Sequence, residues 1–292
     1  MATIVKINNV NAGAISYLNS LQNTKFSSVD GQTFSKYVLD YFPAYSAFSF
    51  RKLKSTYAGN CFRVRRSSDN TEQDIGFSGD YVNTGSLTTF VGANSGYITK
   101  IYDQTGNGRD RTQTTVARQP LIVSAGTVQK SGSYVVANFN NVSYMLQHSS
   151  SASPMPSSFA SSTYFVYKAN AQTNLLLVAG VNQYAYVGNS GDAASAFGQF
   201  TNGSNYVNNV SQTISTRADD YTYLNTAKTI VHSAIGFTPS ATWGNNWWFG
   251  GYNNVGGGFD WQGFYFEEIN YYQSSSYSSS IAVNQGGYYG AF

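Results

Sequence analysis

Charge is scarce in this chain: only 11% of its 292 residues are Asp, Glu, Lys or Arg, and there are two histidines, five prolines and one cysteine, Cys61. A single cysteine excludes an internal disulfide and any zinc site built on several thiolates. His148 and His232 sit in unrelated contexts, and no G-x-S-x-G, H-E-x-x-H or phosphate-loop pattern occurs. Both histidines are therefore read as structural or surface residues. No stretch reaches the length of a membrane span, and the opening MATIVKINN has no apolar leader core. Membrane insertion is not expected, and folding in a cytoplasm is.

What is abundant points one way. The chain holds 24 Tyr, 19 Phe and 28 Gly, with aromatics at 16%. Tyrosine and phenylalanine favour pleated, half-buried surfaces, and a disordered chain or a helical bundle would have a different composition. From Ala47 onward, short alternating runs such as CFRVRRS, YITKIYD, LIVSAG, YVVANF, STYFVYKA, TIVHSAIGF and GFYFEEINYY are separated by Gly, Asn, Ser and Asp clusters. That pattern predicts successive antiparallel strands, and with few convincing helices, an all-β sandwich. Residues 1–42 read as an attachment or oligomerisation extension containing a short helix, and Pro43 marks the start of the sandwich domain, residues 43–292. The ending SSSYSSSIAVNQGGYYGAF is expected to form a short helix and a last strand.

The net charge of +3 hides an asymmetry, because fourteen of the seventeen Lys and Arg residues lie within residues 1–130. Without a Lys/Arg run this is weak footing for nucleic acid, and no nucleic-acid partner is expected. Residues 51–77 concentrate the cations. Arg63 and Arg65 are two apart and so share a strand face. Acids follow at Asp69, Glu72 and Asp74, so Arg63, Arg65, Arg66, Asp74 and Asp103 are read as a structural polar network, the other reading being an anion-binding surface.

The segment IYDQTGNGRDRTQ, residues 101–113, places Asp103, Thr105, Asn107 and Gly108 at the first, third, fifth and sixth positions of a calcium loop. The twelfth position is Thr114, not a bidentate Glu. The segment is therefore read as a turn, with Asp103 and Asn107 the weak metal candidates and no metal or cofactor expected. All four tryptophans, Trp243, Trp247, Trp248 and Trp261, lie close together with Tyr252 and Asn253. They form either a stacking platform for sugar rings or part of the core. For hydrolysis the available C-terminal carboxylates are Asp260, Glu267 and Glu268. Adjacent on a strand, the two glutamates face opposite sides, and each is read as solvated or salt-bridged.

The run from AYSAFSFRKLKSTYAGNCFRVRRSSDNTEQDIGF through YITKIYDQTGNGRDRTQTTVARQPLIV, with the ending FYFEEINYYQSSSYSSSIAVNQGGYYGAF, resembles bacteriophage virion and tail-fibre-type proteins whose core is similar to the catalytic domain of α-L-arabinofuranosidase B. The resemblance covers residues 43–292, most specifically 63–77 and 102–120. It implies a concanavalin A-like jelly roll. That family's vicinal cysteines and its Asp after a Gly-Gly are not matched here, since Cys61 is alone and Gly250-Gly251 precedes Tyr252. The resulting expectation is a non-enzymatic virion protein, assembled in the bacterial host cytoplasm, trimeric, contacting other virion proteins and binding host surface polysaccharide at the tryptophan cluster. The alternative is a glycan-degrading hydrolase related to arabinofuranosidase.

Overall fold

In the computed structural model the residues described are 36–139, 146–148, 161–169, 174–176, 178–180, 183–184, 187–189, 193, 203–224, 228–237, 248–249, 263–272 and 278–292. The elements that frame the site are, in chain order, β1 (Ser46–Ser49), β2 (Phe62–Arg66), β3 (Glu72–Ile75), α1 (Thr84–Val91), β4 (Gly96–Ile101), β5 (Arg111–Thr112), β6 (Leu121–Ser124) and β7 (Ala137–Phe139). They continue with β8 (Ser161–Ala169), β9 (Ser204–Val207), β10 (Val210–Gln212), α2 (Arg217–Leu224), β11 (Ile230–Phe237), β12 (Gly263–Tyr272) and α3 (Ser279–Tyr289).

The strands build an antiparallel sandwich. In the back sheet β12 is central: β1 and β7 share one of its edges, β8 takes the other, and β11, β9 and β10 follow outward. In the front sheet β2 lies between β3 and β4, and β4 carries β5 and β6 on its far edge. A β6–β7 pairing joins the two layers.

Alternation along the strands divides the apolar residues between two cores. Phe48, Phe62, Val64, Ile98, Phe139, Phe165, Tyr167 and Tyr265 meet between the sheets. Ala47, Tyr164, Val166, Val231, Phe266 and Ile269 face the other way, against Ile281 and Tyr289 of α3 and against Val38 and Leu39. The 3₁₀ turn Val38–Asp40 is the helical piece found in the described part of the N-terminal segment.

Two helices escape the strand reading. Asn83 caps α1 by accepting the Ser86 N–H at 3.0 Å. Thr216 and Asp219 cap α2 reciprocally, the Asp219 N–H donating to Thr216 Oγ1 at 3.1 Å and Asp219 Oδ2 accepting the Thr216 N–H at 2.9 Å. The expected last strand does not form. Helix α3 instead runs through the Tyr-Tyr pair and stops at Gly290, whose φ of 65° and ψ of 37° is the left-handed cap that glycine tolerates.

Candidate active site

A one-residue bulge in β12 decides where its two glutamates point. Val166 of β8 pairs with Glu267, but the next residue, Tyr167, pairs with Tyr265, which leaves Phe266 as the extra residue. Phe266 and Glu267 consequently lie on the same side: the Phe266 ring packs 5.2 Å from that of Tyr289, and Glu267 accepts the Tyr289 hydroxyl at 3.0 Å. Glu268 is left on the inner face, between the sheets.

Glu267 is committed to structure. Arg51 Nε and Nη2 donate to its two oxygens at 2.7 and 3.0 Å, and Ser49 adds a hydroxyl at 2.9 Å. Both side chains of the ion pair are buried. Its partners come from β1, from Arg51 two residues beyond it and from α3, so the carboxylate ties the C-terminal helix to the sheet.

Glu268 belongs to a polar stripe crossing the inner face. It accepts from Arg111 Nη2 at 2.5 Å and from Asn270 Nδ2 at 2.7 Å. Asn270 also donates to Ser46 Oγ at 3.1 Å and accepts from Thr163 Oγ1 at 2.8 Å. Cross-strand register places Phe48, Glu268, Phe165 and His232 in one row. Arg111 reaches over from the front layer, its guanidinium 5.0 Å from the Phe48 ring centre. It is 1% exposed, and its Nε and Nη1 have no hydrogen-bond partner among the described residues. Two donors without partners beside a buried carboxylate are a departure from the usual pairing of buried polar groups. His232, 3.3 Å from Asn205 Oδ1, is pushed down by burial to about 3 and stays neutral.

Asp220 of α2 is a further buried acid. Neither of its oxygens has a hydrogen-bond partner among the described residues, and burial, with the nearby Asp219, pushes its carboxyl well above the usual range. It is the electrostatic neighbour of Tyr167 on the inner face. The sequence reading passed over both Arg111 and Asp220. Arg111 was quoted inside a turn motif, and Asp220 is one of two consecutive acids whose helix was not recognised.

The residues of the expected polar network do not form one connected group. Arg63 forks onto Asp74 at 2.7 and 2.9 Å, and Asp74 also accepts the Tyr102 hydroxyl at 2.7 Å. Arg65 turns to Gln119 and Asn70, and Arg66 to Asp69. Asp103 accepts the backbone N–H of Ala47, Thr105 and Arg109 at 3.0, 3.0 and 3.2 Å, and the Thr105 hydroxyl. Its oxygens serve N–H and O–H donors that knit the turn to β1, and Asn107 Nδ2 donates to Tyr45 O at 3.0 Å. Among the described residues no three His, Cys, Asp or Glu side chains gather as metal ligands. Trp243, Trp247, Tyr252, Asn253, Asp260 and Trp261 lie outside the described residues, as does the side chain of Trp248.

Residues 37–150 match the family model described as Alpha-L-arabinofuranosidase B, catalytic. No curated protein matches the chain. Among solved structures it is similar to a GH54 α-L-arabinofuranosidase soaked with a cyclic sulfate inhibitor, with 15% identity and a TM-score of 0.46. It is also similar to an arabinofuranosidase complexed with arabinofuranosyl-α-1,2-xylobiose, again with 15% identity and a TM-score of 0.46. In both cases 85% of this chain is covered but 63% of the other, so the chain spans less than two thirds of their length. The family match overturns the expectation of a protein without catalytic chemistry. That expectation rested on two local departures, the lone Cys61 and Tyr252, whereas the match extends across β1 to β7. Over residues 37–150 the chain is similar to an arabinofuranosidase catalytic domain.

Proposed function

We propose that this chain is a glycoside hydrolase that removes α-L-arabinofuranosyl groups from glycans, with Glu268 as a carboxylate on the sugar side of the back sheet. The observation that carries the reading is the match of residues 37–150 to an arabinofuranosidase catalytic model. Glycosidic hydrolysis depends on carboxyl groups, and of the three acids offered by the sequence, Glu267 is consumed by Arg51, Ser49 and Tyr289 while Glu268 faces the inner stripe. Arg111, with two donors unspent, and the amide of Asn270 supply the hydrogen bonds that hydroxyls require.

The test is release of 4-nitrophenol from 4-nitrophenyl α-L-arabinofuranoside, a chromogenic glycoside of the proposed class. Hydrolysis above background that falls at least ~100-fold in Glu268→Gln, with the variant still folded, supports the reading. A folded parent protein without hydrolysis sinks it, and a fully active Glu268→Gln sinks the assignment of the residue.

The setting we propose is a phage particle, with trimeric copies of the chain acting on host surface polysaccharide. Support comes from the resemblance of residues 63–77 and 102–120 to virion proteins. Mass spectrometry of purified particles that lack the chain removes this setting and leaves the hydrolase reading standing.

A further inference from the structure

We propose that the exposed face of Tyr81 is a glycan-stacking site, remote from the inner stripe and built as the outer end of a column that begins at Glu267. Glu267 fixes the Arg51 guanidinium with a two-pronged ion pair. That guanidinium lies 4.2 Å from the centre of the Tyr288 ring. The Tyr288 ring in turn stacks on Tyr81, with centroids 6.4 Å apart and planes inclined by 24°. Tyr81 ends the column in solvent at 57% exposure.

Each level of the column is held by groups other than its stacking neighbour. Tyr134 wedges against Tyr288 at 5.3 Å and donates its hydroxyl to the Tyr288 carbonyl at 2.5 Å. Asn284 takes the remaining Arg51 Nη2 proton at 2.7 Å. The backbone of Tyr81 is pinned by a bridge to Arg51, by the Lys52 N–H donating to Asp80 O and by the Val82 N–H donating to Phe50 O. An aromatic face held this rigidly loses little entropy on binding.

Four large hydrophobic side chains are exposed among the described residues: Tyr41, Tyr81, Val116 and Val210. Of these, Tyr81 is the one whose ring stacks on a second ring. Its neighbour in the chain, Asp80, is held by Lys36 and by the Tyr37 hydroxyl, which fixes the backbone at the base of Tyr81. A flat aromatic face, backed by a second ring and open to solvent, suits the C–H face of a sugar ring. One exposed ring is too small for a protein interface, which needs on the order of 1,000 Å².

The glycan assignment rests on the hydrolase reading, and the experiment separates the two. Affinity gel electrophoresis and calorimetry with soluble arabinoxylan are run on the full chain and on Tyr81→Ala, Tyr81→Phe and Tyr81→Trp, each first checked for an unchanged melting temperature. Tyr81→Ala should weaken binding up to about tenfold, Tyr81→Phe should keep it and Tyr81→Trp should tighten it, while hydrolysis of the small aryl glycoside stays unchanged. Binding by the parent that Tyr81→Ala leaves intact, no binding by the parent, or a Tyr81→Ala change confined to self-association overturns the proposal. If the parent binds arabinoxylan through Tyr81 but hydrolyses nothing, the stacking site stands and the hydrolase reading falls.

Discussion

Arg51 and Glu267, 216 residues apart in sequence, form a two-pronged ion pair with N–O distances of 2.7 and 3.0 Å at 3% and 0% side-chain exposure. Because water is excluded, losing one partner strands a charge. Glu267→Gln or Arg51→Ala should each destabilise the fold by about 3–5 kcal/mol in urea titration. The double variant Arg51→Ala with Glu267→Gln should cost less than the two single losses added. Strict additivity would show that the pair is not coupled.

Asp220 gives stability a definite pH dependence. Burial keeps its carboxyl protonated in the folded chain at pH values where the unfolded chain has already ionised, above about pH 4. The folded state then binds the extra proton, so the stability tied to Asp220 declines as pH rises from 4 toward its raised folded value. Asp219 is the neighbouring charge, and Tyr167 the neighbouring hydroxyl. Asn174–Leu176 and Val187–Asn189, two strands packed on α2, carry no titratable residue. Asp220→Asn should match the parent at pH 4 and exceed it at pH 7 in urea denaturation. A difference that stays flat with pH refutes the account.

The 103–110 turn is tied together by hydrogen bonds to Asp103. Asp103→Ala leaves the N–H groups of Ala47, Thr105 and Arg109 without their acceptor, an expected loss of at least about 2 kcal/mol with faster amide exchange at Thr105 and Arg109. Calcium or EDTA should leave the melting temperature of the parent unchanged. A calcium-dependent rise would restore the metal reading.

Cys61 is fully buried, donates to Ser49 O at 3.2 Å, and has its thiol pushed well up by burial. A thiolate-specific reagent should therefore react at the rate of unfolding, and addition of denaturant should speed the reaction in step with loss of structure. Fast reaction of the native protein would contradict the packing around β2.

Much of the framework was legible because alternation has a two-residue period and turn residues punctuate it. CFRVRRS, YITKIYD, LIVSAG and YVVANF hold β2, β4, β6 and β7, and the acids following β2 made an Arg63 pairing with Asp74 readable. Helix α2 was missed because RADDYTYL has no apolar stripe, although Thr216 and Asp219 at capping-box spacing were a usable signal. Arg111 was not legible as a site residue. Its role depends on a carboxylate 157 positions later.

Composition and spacing alone determined an antiparallel, aromatic-rich sandwich without disulfides, because those properties follow from residue type and short-range period. They also determined that Glu267 and Glu268 point to opposite sides. Which glutamate faces the inner stripe was decided only by tertiary structure. Counted from Tyr265, simple alternation would turn Glu267 inward, but the bulge at Phe266 shifts the phase by one residue and presents Glu268 instead. That shift is stable because Phe266 and Glu267 both find partners on Tyr289, and Glu268 finds Arg111 from the opposite sheet.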